Sequence, residues 1–352
     1  MSTQFSGLSL QHFRNYVQRT FLFPKQTTII VGKNTVGKTS IVEAIALLAM
    51  GGSFRAEEVE EMIQFEEEVG RVKGQVFNDE KTELEVLLTR GEVQGRKTLR
   101  MLFSVNDVRR RKKDFVGKFF TVVFRPEDMR LVEGSPARRR QFIDTILCAT
   151  DQSYAGSLKT YEDALKRRNR LLLQVQENTM PRSTLTYWSM LICKHGSTIQ
   201  QKRSDFFATF GGVSFPIHFS LLYKPSLINE ERMAEHLERE ILAGHTLIGV
   251  HKDDFEIHFN GGRDLDVAHY GSRGQQRLAV LWLKMCELDY VFQQTHSRPL
   301  LLLDDILSEL DEEHREQVLS LLTVGQAIIT TADERTIPEI IALAPDAEVI
   351  HL

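Results

Sequence analysis

The sequence predicts an α/β protein built on a parallel sheet, with a phosphate-binding loop at the carboxyl end of one strand. Three observations support this fold class: a glycine-rich octet after a β-type segment, an apolar segment that ends in two aspartates, and a helix start that carries Ser-x-Gly-Gln. The octet lies near the amino terminus and the other two lie more than 200 residues later. We therefore expect one domain to be assembled from both ends of the chain around an inserted middle.

The glycine-rich octet occupies residues 32–39, between the strand-like run 27–31 and the helix-like run 40–48. In this context the pattern Gly-x-x-x-x-Gly-Lys-Thr predicts a nucleotide site, because glycines let backbone N–H groups wrap the β- and γ-phosphates. The helix N-terminus adds a partial positive charge, the lysine neutralises the phosphates, and the threonine hydroxyl is expected on Mg²⁺. The predicted nucleotide-binding residues are Gly32, Lys33, Asn34, Thr35, Val36, Gly37, Lys38 and Thr39.

The apolar run 299–303 ends in Asp304 and Asp305 and reads as a strand buried on both faces of a parallel sheet. Open α/β sheets bind ligands beyond the carboxyl ends of their strands. We expect Asp304 to hold Mg²⁺, usually through water, and Asp305 to act as the general base on the attacking water. The alternative interpretation of two such acids is a solvated turn or a helix cap.

A third motif, Ser272, Arg273, Gly274 and Gln275, precedes a long amphipathic helix. The simple interpretation is a capping box, with the serine at the N-cap and the glutamine three residues later. A capped, glycine-bearing helix start is also an anion site that points outward. The motif resembles the signature of ABC-type ATPases, in which the signature of one subunit closes on the γ-phosphate held by the loop of another. The resemblance implies a dimer held together by nucleotide.

Segments along essentially the whole chain resemble the RecF family of bacterial DNA-repair proteins. They are 8–16 (LSLQHFRNY), 124–128 (FRPED), 131–140 (LVEGSPARRR), 164–172 (ALKRRNRLL), 249–255 (GVHKDDF), 270–277 (YGSRGQQR) and 303–311 (LDDILSELD). The resemblance implies an ABC-type ATPase head, related to those of chromosome-maintenance ATPases, with a largely helical second lobe. It implies ATP and Mg²⁺ as cofactors, with Lys38 and Asp305 as the catalytic residues of a weak, DNA-stimulated ATPase.

The resemblance also implies a biological setting. It is that of an ATP-dependent homodimer that binds DNA at single-strand gaps and duplex junctions, independent of sequence, and helps to load recombinase together with RecR and RecO. Two alternatives stay open: a generic soluble ABC-type or transporter-type subunit that does not act on DNA, and a nuclease of the overcoming-lysogenization type. The nuclease would carry a further catalytic domain, and we expect none in the roughly 40 residues after Asp311.

Two positions depart from the family pattern. Thr35 stands where the phosphate loop of the family usually has glycine, and a β-branched residue would be strained there if the position needs a positive φ. Thr330 and Thr331 stand where ABC-type ATPases place the histidine that senses the γ-phosphate. A hydroxyl can hydrogen-bond phosphate but carries no charge, so we expect slow hydrolysis.

The formal net charge of −4 does not indicate nucleic-acid binding, but the charge distribution does. Residues 96–140 contain fourteen Lys or Arg against five Asp or Glu, whereas residues 57–68 contain seven Glu and no basic residue. Two basic runs are candidate contacts to DNA phosphates: Arg109, Arg110, Arg111, Lys112 and Lys113, and then Arg138, Arg139 and Arg140. The alternative is a solvated face or, for the second run, ion pairs with Glu127, Asp128 or Glu133.

The motif order predicts the domain organisation. We expect the ATPase domain to comprise residues 1–125 and 245–352, and a helical lobe with a short antiparallel arm to comprise 126–244. Alternating runs at 70–76, 82–89 and 98–105 predict an antiparallel sheet, and the helical pattern at 136–211 is broken at 178–183. No segment reaches eighteen unbroken apolar residues and no secretion signal is present, so we expect a cytoplasmic, nucleoid-associated protein without membrane partners.

Overall fold

The computed structural model describes residues 3–78, 80–210, 213, 215–259, 264–309, 312–323 and 325–352. The chain divides into two compact units, one formed by Met1–Asp128 with Glu287–Leu352 and the other by Met129–Cys286. The predicted α/β fold, assembled from both ends of the chain around an inserted middle, is therefore confirmed. By packing, however, residues 245–286 belong to the inserted unit, because strand 254–259 pairs with strand 219–224 inside it.

The strands, in chain order, are β1 (Gln4–Phe13), β2 (Tyr16–Leu22), β3 (Thr27–Val31), β4 (Val69–Asn78), β5 (Glu80–Thr89), β6 (Glu92–Val93), β7 (Arg96–Lys97), β8 (Met101–Val105), β9 (Val108–Arg110), β10 (Thr121–Phe124), β11 (Phe219–Lys224), β12 (Asp254–Phe259), β13 (Leu265–Asp266), β14 (Leu300–Asp304), β15 (Ala327–Thr331) and β16 (Glu348–His351). The α-helices are α1 (Lys38–Met50), α2 (Lys112–Phe115), α3 (Arg130–Glu133), α4 (Pro136–Thr150), α5 (Gln152–Gln176), α6 (Thr186–Thr209), α7 (Glu230–Ala243), α8 (Val267–Tyr270), α9 (Arg273–Thr295), α10 (Glu312–Ser320) and α11 (Ile337–Leu343).

The first unit contains a parallel sheet with strand order β10-β14-β15-β3-β16. Every residue of β3, β14 and β15 is buried, as expected of strands covered on both faces. In the register of the sheet Asp304 lies beside Thr330, and Thr330 lies beside Ile30. The segment after β3 and the end of β14 therefore emerge at the same edge of the sheet, where the sequence places its first two motifs.

A six-stranded antiparallel sheet, with strand order β2-β1-β4-β5-β8-β9, completes the first unit. It confirms the predicted antiparallel runs, although the third strand begins at Met101 because residues 92–97 form the separate β6–β7 hairpin. Helix α1 contacts strands of both sheets and buries eleven of its thirteen residues. Its apolar residues therefore join the two sheets through one core, and the helix that follows the phosphate loop has little freedom to move.

The second unit is mainly helical. Helices α5 and α6 pack against each other, and the break between them runs from Glu177 to a 3-10 turn at Arg182–Leu185, as the sequence predicts. A three-stranded antiparallel sheet, β11-β12-β13, leads into α8 and then α9. Among the described residues, no helix combines the length and the apolar character that crossing a bilayer requires.

Candidate functional site

The loop 32–37 connects β3 to α1 and carries backbone conformations that few residues adopt. Gly37 has a φ of 114°, and a Cβ at that position would lie 2.7 Å from Asn15 Nδ2, so only glycine fits. Thr35 has a φ of 72°, which confirms that a β-branched residue occupies a left-handed position. The Lys38 ammonium donates to the carbonyl oxygens of Gly32, at 2.7 Å, and Lys33, at 3.1 Å. The loop thus curves around the lysine that the sequence assigns to phosphate.

The turn between β1 and β2 supports this loop. Asn15 Nδ2 donates to the Val36 carbonyl at 2.9 Å, and the Tyr16 hydroxyl donates to the Gly37 carbonyl at 3.3 Å. Burial raises the pKa of Tyr16 to about 12, so the hydroxyl keeps its proton at neutral pH. These two hydrogen bonds hold the loop from the hairpin side, and two loop amides are engaged as well, since the Gly32 amide donates to the Thr331 carbonyl at 3.3 Å and the Val36 amide donates to the Lys33 carbonyl at 3.4 Å.

A buried ion pair fixes the same hairpin to helix α1. The Arg14 guanidinium makes two hydrogen bonds to the Glu43 carboxylate, at 2.7 and 2.8 Å, and a third to the Glu61 carbonyl at 2.6 Å. The Glu43 side chain is fully buried and also accepts from the Ser53 hydroxyl. Sequence reasoning used residues 8–16 only to identify a family and assigned them no role. Nothing local in the sequence indicates these contacts, because they depend on tertiary packing.

The structure brings the two predicted metal-binding residues together. Thr39 Oγ1 donates to Asp304 Oδ1 at 3.2 Å, and Thr330 Oγ1 donates to the same oxygen at 2.7 Å. Asp304 is buried, and this burial raises the pKa of its carboxyl. A hydroxyl and a carboxylate side by side fit Mg²⁺, which prefers oxygen ligands and keeps several waters. The described residues contain no cluster of three His, Cys, Asp or Glu that could hold a metal.

Asp305 follows at the strand end in a strained conformation, with a φ of 53°. Its backbone amide donates to the Thr330 carbonyl, and its Oδ1 accepts from the Ala332 amide at 3.3 Å. Strained non-glycine residues cluster at functional sites, and Asp305 faces the same cavity as Lys38 and Thr39. The side chain of Glu309 and residues Leu310 and Asp311 lie outside the described part of the chain.

The two threonines that end β15 have partners inside the protein. Thr330 orients Asp304, as described above, and the Thr331 hydroxyl interacts with the backbone of Asp333. The sequence allowed either hydroxyl to contact phosphate. Their hydrogen bonds instead favour structural roles, since Thr330 holds the acidic end of β14 and Thr331 holds the turn that follows β15.

A cavity of about 790 Å³ in the first unit is lined by the phosphate loop, the turn between β1 and β2, and Asp305. Its lining residues are Arg14, Asn15, Asn34, Thr35, Gly37, Lys38, Thr39, Ser40, Arg55, Glu60, Glu61, Ile63, Phe65, Arg90 and Asp305. The volume lies in the range of small-molecule and cofactor sites. The sequence predicted the phosphate loop and Asp305 as parts of the site. It did not predict Arg90 or the lining residues between 55 and 65, because no motif marks them.

The signature segment lies in the second unit and has the predicted capping box. The Ser272 amide donates to Gln275 Oε1 at 2.8 Å, and the Gln275 amide donates to Ser272 Oγ at 3.3 Å. Ser272 and Arg273 are exposed. A Cβ on Gly274 would meet only Ser272 Oγ, at 4.0 Å, so packing within this unit does not explain the glycine. A ligand or a second protein that approaches this backbone closely would explain it.

The two basic runs differ in their surroundings. Arg109–Lys113 are exposed, at the edge strand β9 and the start of α2. Arg138 is also exposed, but Arg139 makes a two-point ion pair with Asp254, at 2.7 and 2.9 Å, and Arg140 donates to the Asp253 carbonyl at 2.8 Å. The structure therefore favours ion pairing for Arg139 and a hydrogen bond to the backbone for Arg140. The partners predicted for these pairs, Glu127, Asp128 and Glu133, were wrong because the carboxylate comes from the start of β12.

The loop 249–253, to which sequence reasoning assigned no role, lies in a polar network. His251 Nδ1 lies 2.7 Å from the Tyr161 hydroxyl and its Nε2 lies 3.1 Å from the Thr246 carbonyl oxygen. Burial lowers the pKa of His251 to about 4. Asp253 is buried and accepts from Arg203 Nη1 at 2.8 Å. These contacts indicate that the loop holds the second unit together.

Comparison with known proteins agrees with the geometry. The model described as RecF/RecN/SMC N terminal domain matches residues 4–344. The chain is 32% identical over 373 residues to the DNA replication and repair protein RecF of Bacillus cereus (strain G9842), which covers 99% of this chain and 96% of that protein. The solved structure of the recombination mediator protein RecF with ATP, of the RecFOR pathway, is 28% identical, has a TM-score of 0.85, and covers 95% and 93% of the two chains.

A more distant match concerns the fold alone. The Smc head domain of Pyrococcus furiosus, solved with an extended coiled coil and bound to the C-terminal domain of ScpA, is 17% identical with a TM-score of 0.51. It covers 97% of this chain and 92% of that one. The predicted ABC-type ATPase head is confirmed by these neighbours together with the parallel sheet and phosphate loop described above. The chain belongs to the RecF family.

Proposed function

We propose that this protein is an ATP-dependent DNA-binding protein of recombinational repair and replication restart. One observation carries the nucleotide part: Thr39, at the start of α1, donates to Asp304, at the end of β14, beside the loop that surrounds Lys38. These residues are 265 positions apart in sequence, and their hydrogen bond supports a hydroxyl–carboxylate pair that would hold nucleotide-bound Mg²⁺. Binding of ATP by a RecF relative supports the same ligand here.

The residues of this site have distinct proposed roles. The loop amides and Lys38 bind the β- and γ-phosphates, and Thr39 with Asp304 would hold Mg²⁺, which neutralises charge on those phosphates when bound. Asp305 accepts the proton of the water that attacks the γ-phosphate. Hydrolysis is slow, because the threonines of β15 supply no positive charge to the transferred phosphate, and the family resemblance adds stimulation by DNA.

A second protomer completes the proposed site. Ser272 and the backbone at Gly274 form an exposed, capped helix start, which attracts anions. It binds the γ-phosphate held by the loop of another copy of this chain, so that ATP joins two copies. The dimer binds DNA at single-strand gaps and duplex junctions through the exposed run 109–113. It acts in the cytoplasm, at the nucleoid, and loads recombinase together with RecR and RecO.

The mass of the protein in solution tests this proposal. With a non-hydrolysable ATP analogue the 40.4 kDa chain should double in mass, and gapped DNA should bind to the doubled species. Lys38→Ala should bind no analogue and stay at the monomer mass. Ser272→Arg should bind the analogue without doubling, because bulk and positive charge stand where the second γ-phosphate would lie. Asp305→Asn should double with ATP itself and persist longer than the wild type.

Three results would contradict the proposal in different parts. Unchanged analogue binding by Lys38→Ala would remove the nucleotide site from this loop. Doubling of Ser272→Arg at the wild-type concentration dependence would return Ser272 to a helix cap. A wild-type dimer that ignores gapped DNA would favour the alternative, a soluble ABC-type subunit that does not act on DNA.

A further inference from the structure

One aromatic side chain in the nucleotide cavity is unusually exposed. Phe65 is 84% exposed, the largest value among the exposed large apolar side chains of the described residues, yet it lines the same cavity as Lys38 and Thr39. Its neighbour Ile63 also lines the cavity but is 4% exposed. An isolated exposed phenylalanine is ordinary on a protein surface, but one at the rim of a ligand cavity offers a contact surface.

The turn that carries Phe65 is held firmly. The Gln64 amide donates to the His12 carbonyl at 2.9 Å, and the Glu67 amide closes the turn on the Gln64 carbonyl at 3.2 Å. Glu66 takes the left-handed conformation, with a φ of 68°, that the third residue of a type II turn requires. The Phe65 backbone is thus fixed to strand β1, although its ring contacts little of the protein.

Arg90, the residue that follows strand β5, also holds this turn. Its Nε donates to the Glu67 carbonyl at 2.8 Å and its Nη2 donates to the Gln64 carbonyl at 3.4 Å. An isolated β-bridge between Phe13 and Ile63 holds the chain just before this turn. Ile63 lies two residues before Phe65, and Phe13 lies two residues before Asn15, which donates to the phosphate loop. The ring therefore extends from a rigid support that also orients the phosphate-binding backbone.

The chemistry of the lining suggests what the ring contacts. The loop amides, Lys38 and Thr39 match phosphates and Mg²⁺, but a nucleotide also carries a flat, weakly polar base that gains from leaving water. Aromatic rings are the usual partners of such bases, and stacking does not require a particular hydrogen-bonding pattern. Among the lining residues Phe65 is the one aromatic side chain.

We propose that Phe65 is the nucleobase platform of this site and stacks on the adenine ring of the bound nucleotide, with Arg90 as the residue that positions its turn. The proposal rests on the proposed nucleotide function and adds the part of the ligand that the phosphate loop does not recognise. Stacking raises the affinity for any nucleotide with a base over the affinity for the matching inorganic phosphate.

ADP and inorganic pyrophosphate are suitable probes, because they differ by the adenosine and neither supplies the γ-phosphate of the proposed dimer. Calorimetric titration with Mg²⁺ should show Phe65→Ala losing about tenfold in ADP affinity, while pyrophosphate affinity stays within twofold of wild type. Phe65→Trp should restore ADP binding. Phe77→Ala is the matched control, since Phe77 is 51% exposed on β4 and does not line the cavity.

The outcomes distinguish a failure of the Phe65 proposal from a failure of the proposed nucleotide site. Equal ADP affinity of Phe65→Ala and wild type overturns the platform, as does an equal loss for ADP and pyrophosphate, which would indicate a distorted phosphate loop. Lys38→Ala should weaken both probes. If it weakens neither, the proposed nucleotide site is wrong, whatever Phe65 does. Thermal unfolding of Phe65→Ala should match wild type, because the ring buries little surface.

Discussion

The two basic runs of this chain look alike in sequence but differ in the structure. Arg109–Lys113 lie on an edge strand and a short helix with their side chains exposed. Arg139 and Arg140 lie near the start of helix α4 and are bound to the start of β12, through the Asp254 carboxylate and the Asp253 carbonyl. A positive charge that is already paired and partly buried gains less from a phosphate than one in water, because the new contact must replace an existing one.

The comparison shows that a local excess of arginine does not by itself locate a nucleic-acid surface. Residues 96–140 carry a large excess of positive charge, but two of these charges, Arg139 and Arg140, make contacts inside the second unit. We still predict that the exposed run contacts DNA. For the paired run we predict instead a contribution to the stability of the second unit. Each half can be tested with a variant that should leave the other half unchanged.

The largest effect is expected for DNA binding by the exposed run. Replacing Arg109, Arg110 and Arg111 together with Ala should lower the affinity for gapped duplex DNA about a hundredfold at 0.1 M salt. The slope of log affinity against log salt should flatten by about 2.7, if three duplex phosphate contacts are lost. Fluorescence anisotropy over a salt series measures both quantities.

A double Ala variant of Arg96 and Lys97, on the exposed β6–β7 hairpin, is the control for general loss of positive charge. It should leave the salt slope unchanged. ATP-dependent doubling of mass should survive in both variants. Wild-type affinity and slope in the triple variant would place DNA on another surface.

The next effect is on stability of the second unit. Arg139→Ala leaves the Asp254 carboxylate without its two-point partner, and we expect a loss of about 2 kcal/mol in the free energy of unfolding. Both tryptophans of the chain, Trp188 and Trp282, lie in this unit, so tryptophan fluorescence during urea unfolding reports it. Arg138→Ala, at the exposed neighbour, should change the value by less than about 0.5 kcal/mol. Equal effects of the two substitutions would show that the ion pair contributes nothing.

An effect of similar size is expected from pH. His251, close to Arg140 and Asp253, has a pKa of about 4 in the folded protein against the ordinary 6.5, mainly because it is buried. As the pH falls through 6.5 the unfolded chain binds a proton that the folded chain does not, so stability present at pH 7 is lost progressively down to about pH 4. At pH 5 the loss is about 2 kcal/mol.

His251→Gln removes this titration while keeping a side chain that can hydrogen-bond. Its unfolding free energy, followed by the same tryptophan fluorescence, should fall less than that of wild type between pH 7 and pH 5. Parallel pH profiles for the two proteins would mean that His251 is not the group responsible.

Local features of this fold were predictable from sequence, and long-range ones were not. The strand, loop and helix around residues 27–50 and the capping box at Ser272 follow from patterns within a dozen residues, and the structure confirms them. Thr35 was predicted to be strained if its position required a positive φ, and it does. Short-range rules succeed here because backbone geometry and capping depend on adjacent residues.

The missed features join distant parts of the chain. Arg139 and Asp254 are 115 positions apart, and Asn15 reaches the phosphate loop from a different strand pair. Phe65 follows no motif at all, since its significance comes from the cavity that it lines. Such contacts depend on sheet order and register, which residue spacing in a single sequence does not specify.

The order of strands in the parallel sheet also constrains when the nucleotide site can form during synthesis. Strand β3, which leads into the phosphate loop, pairs with β15 on one side and β16 on the other. Both partner strands come from residues 327–351. During synthesis both edges of β3 therefore stay unpaired until nearly 300 further residues have been made. The inserted unit, contiguous in sequence, can fold first. Translation that stalls before residue 327 would therefore leave a folded insert attached to an aggregation-prone, nucleotide-free remainder.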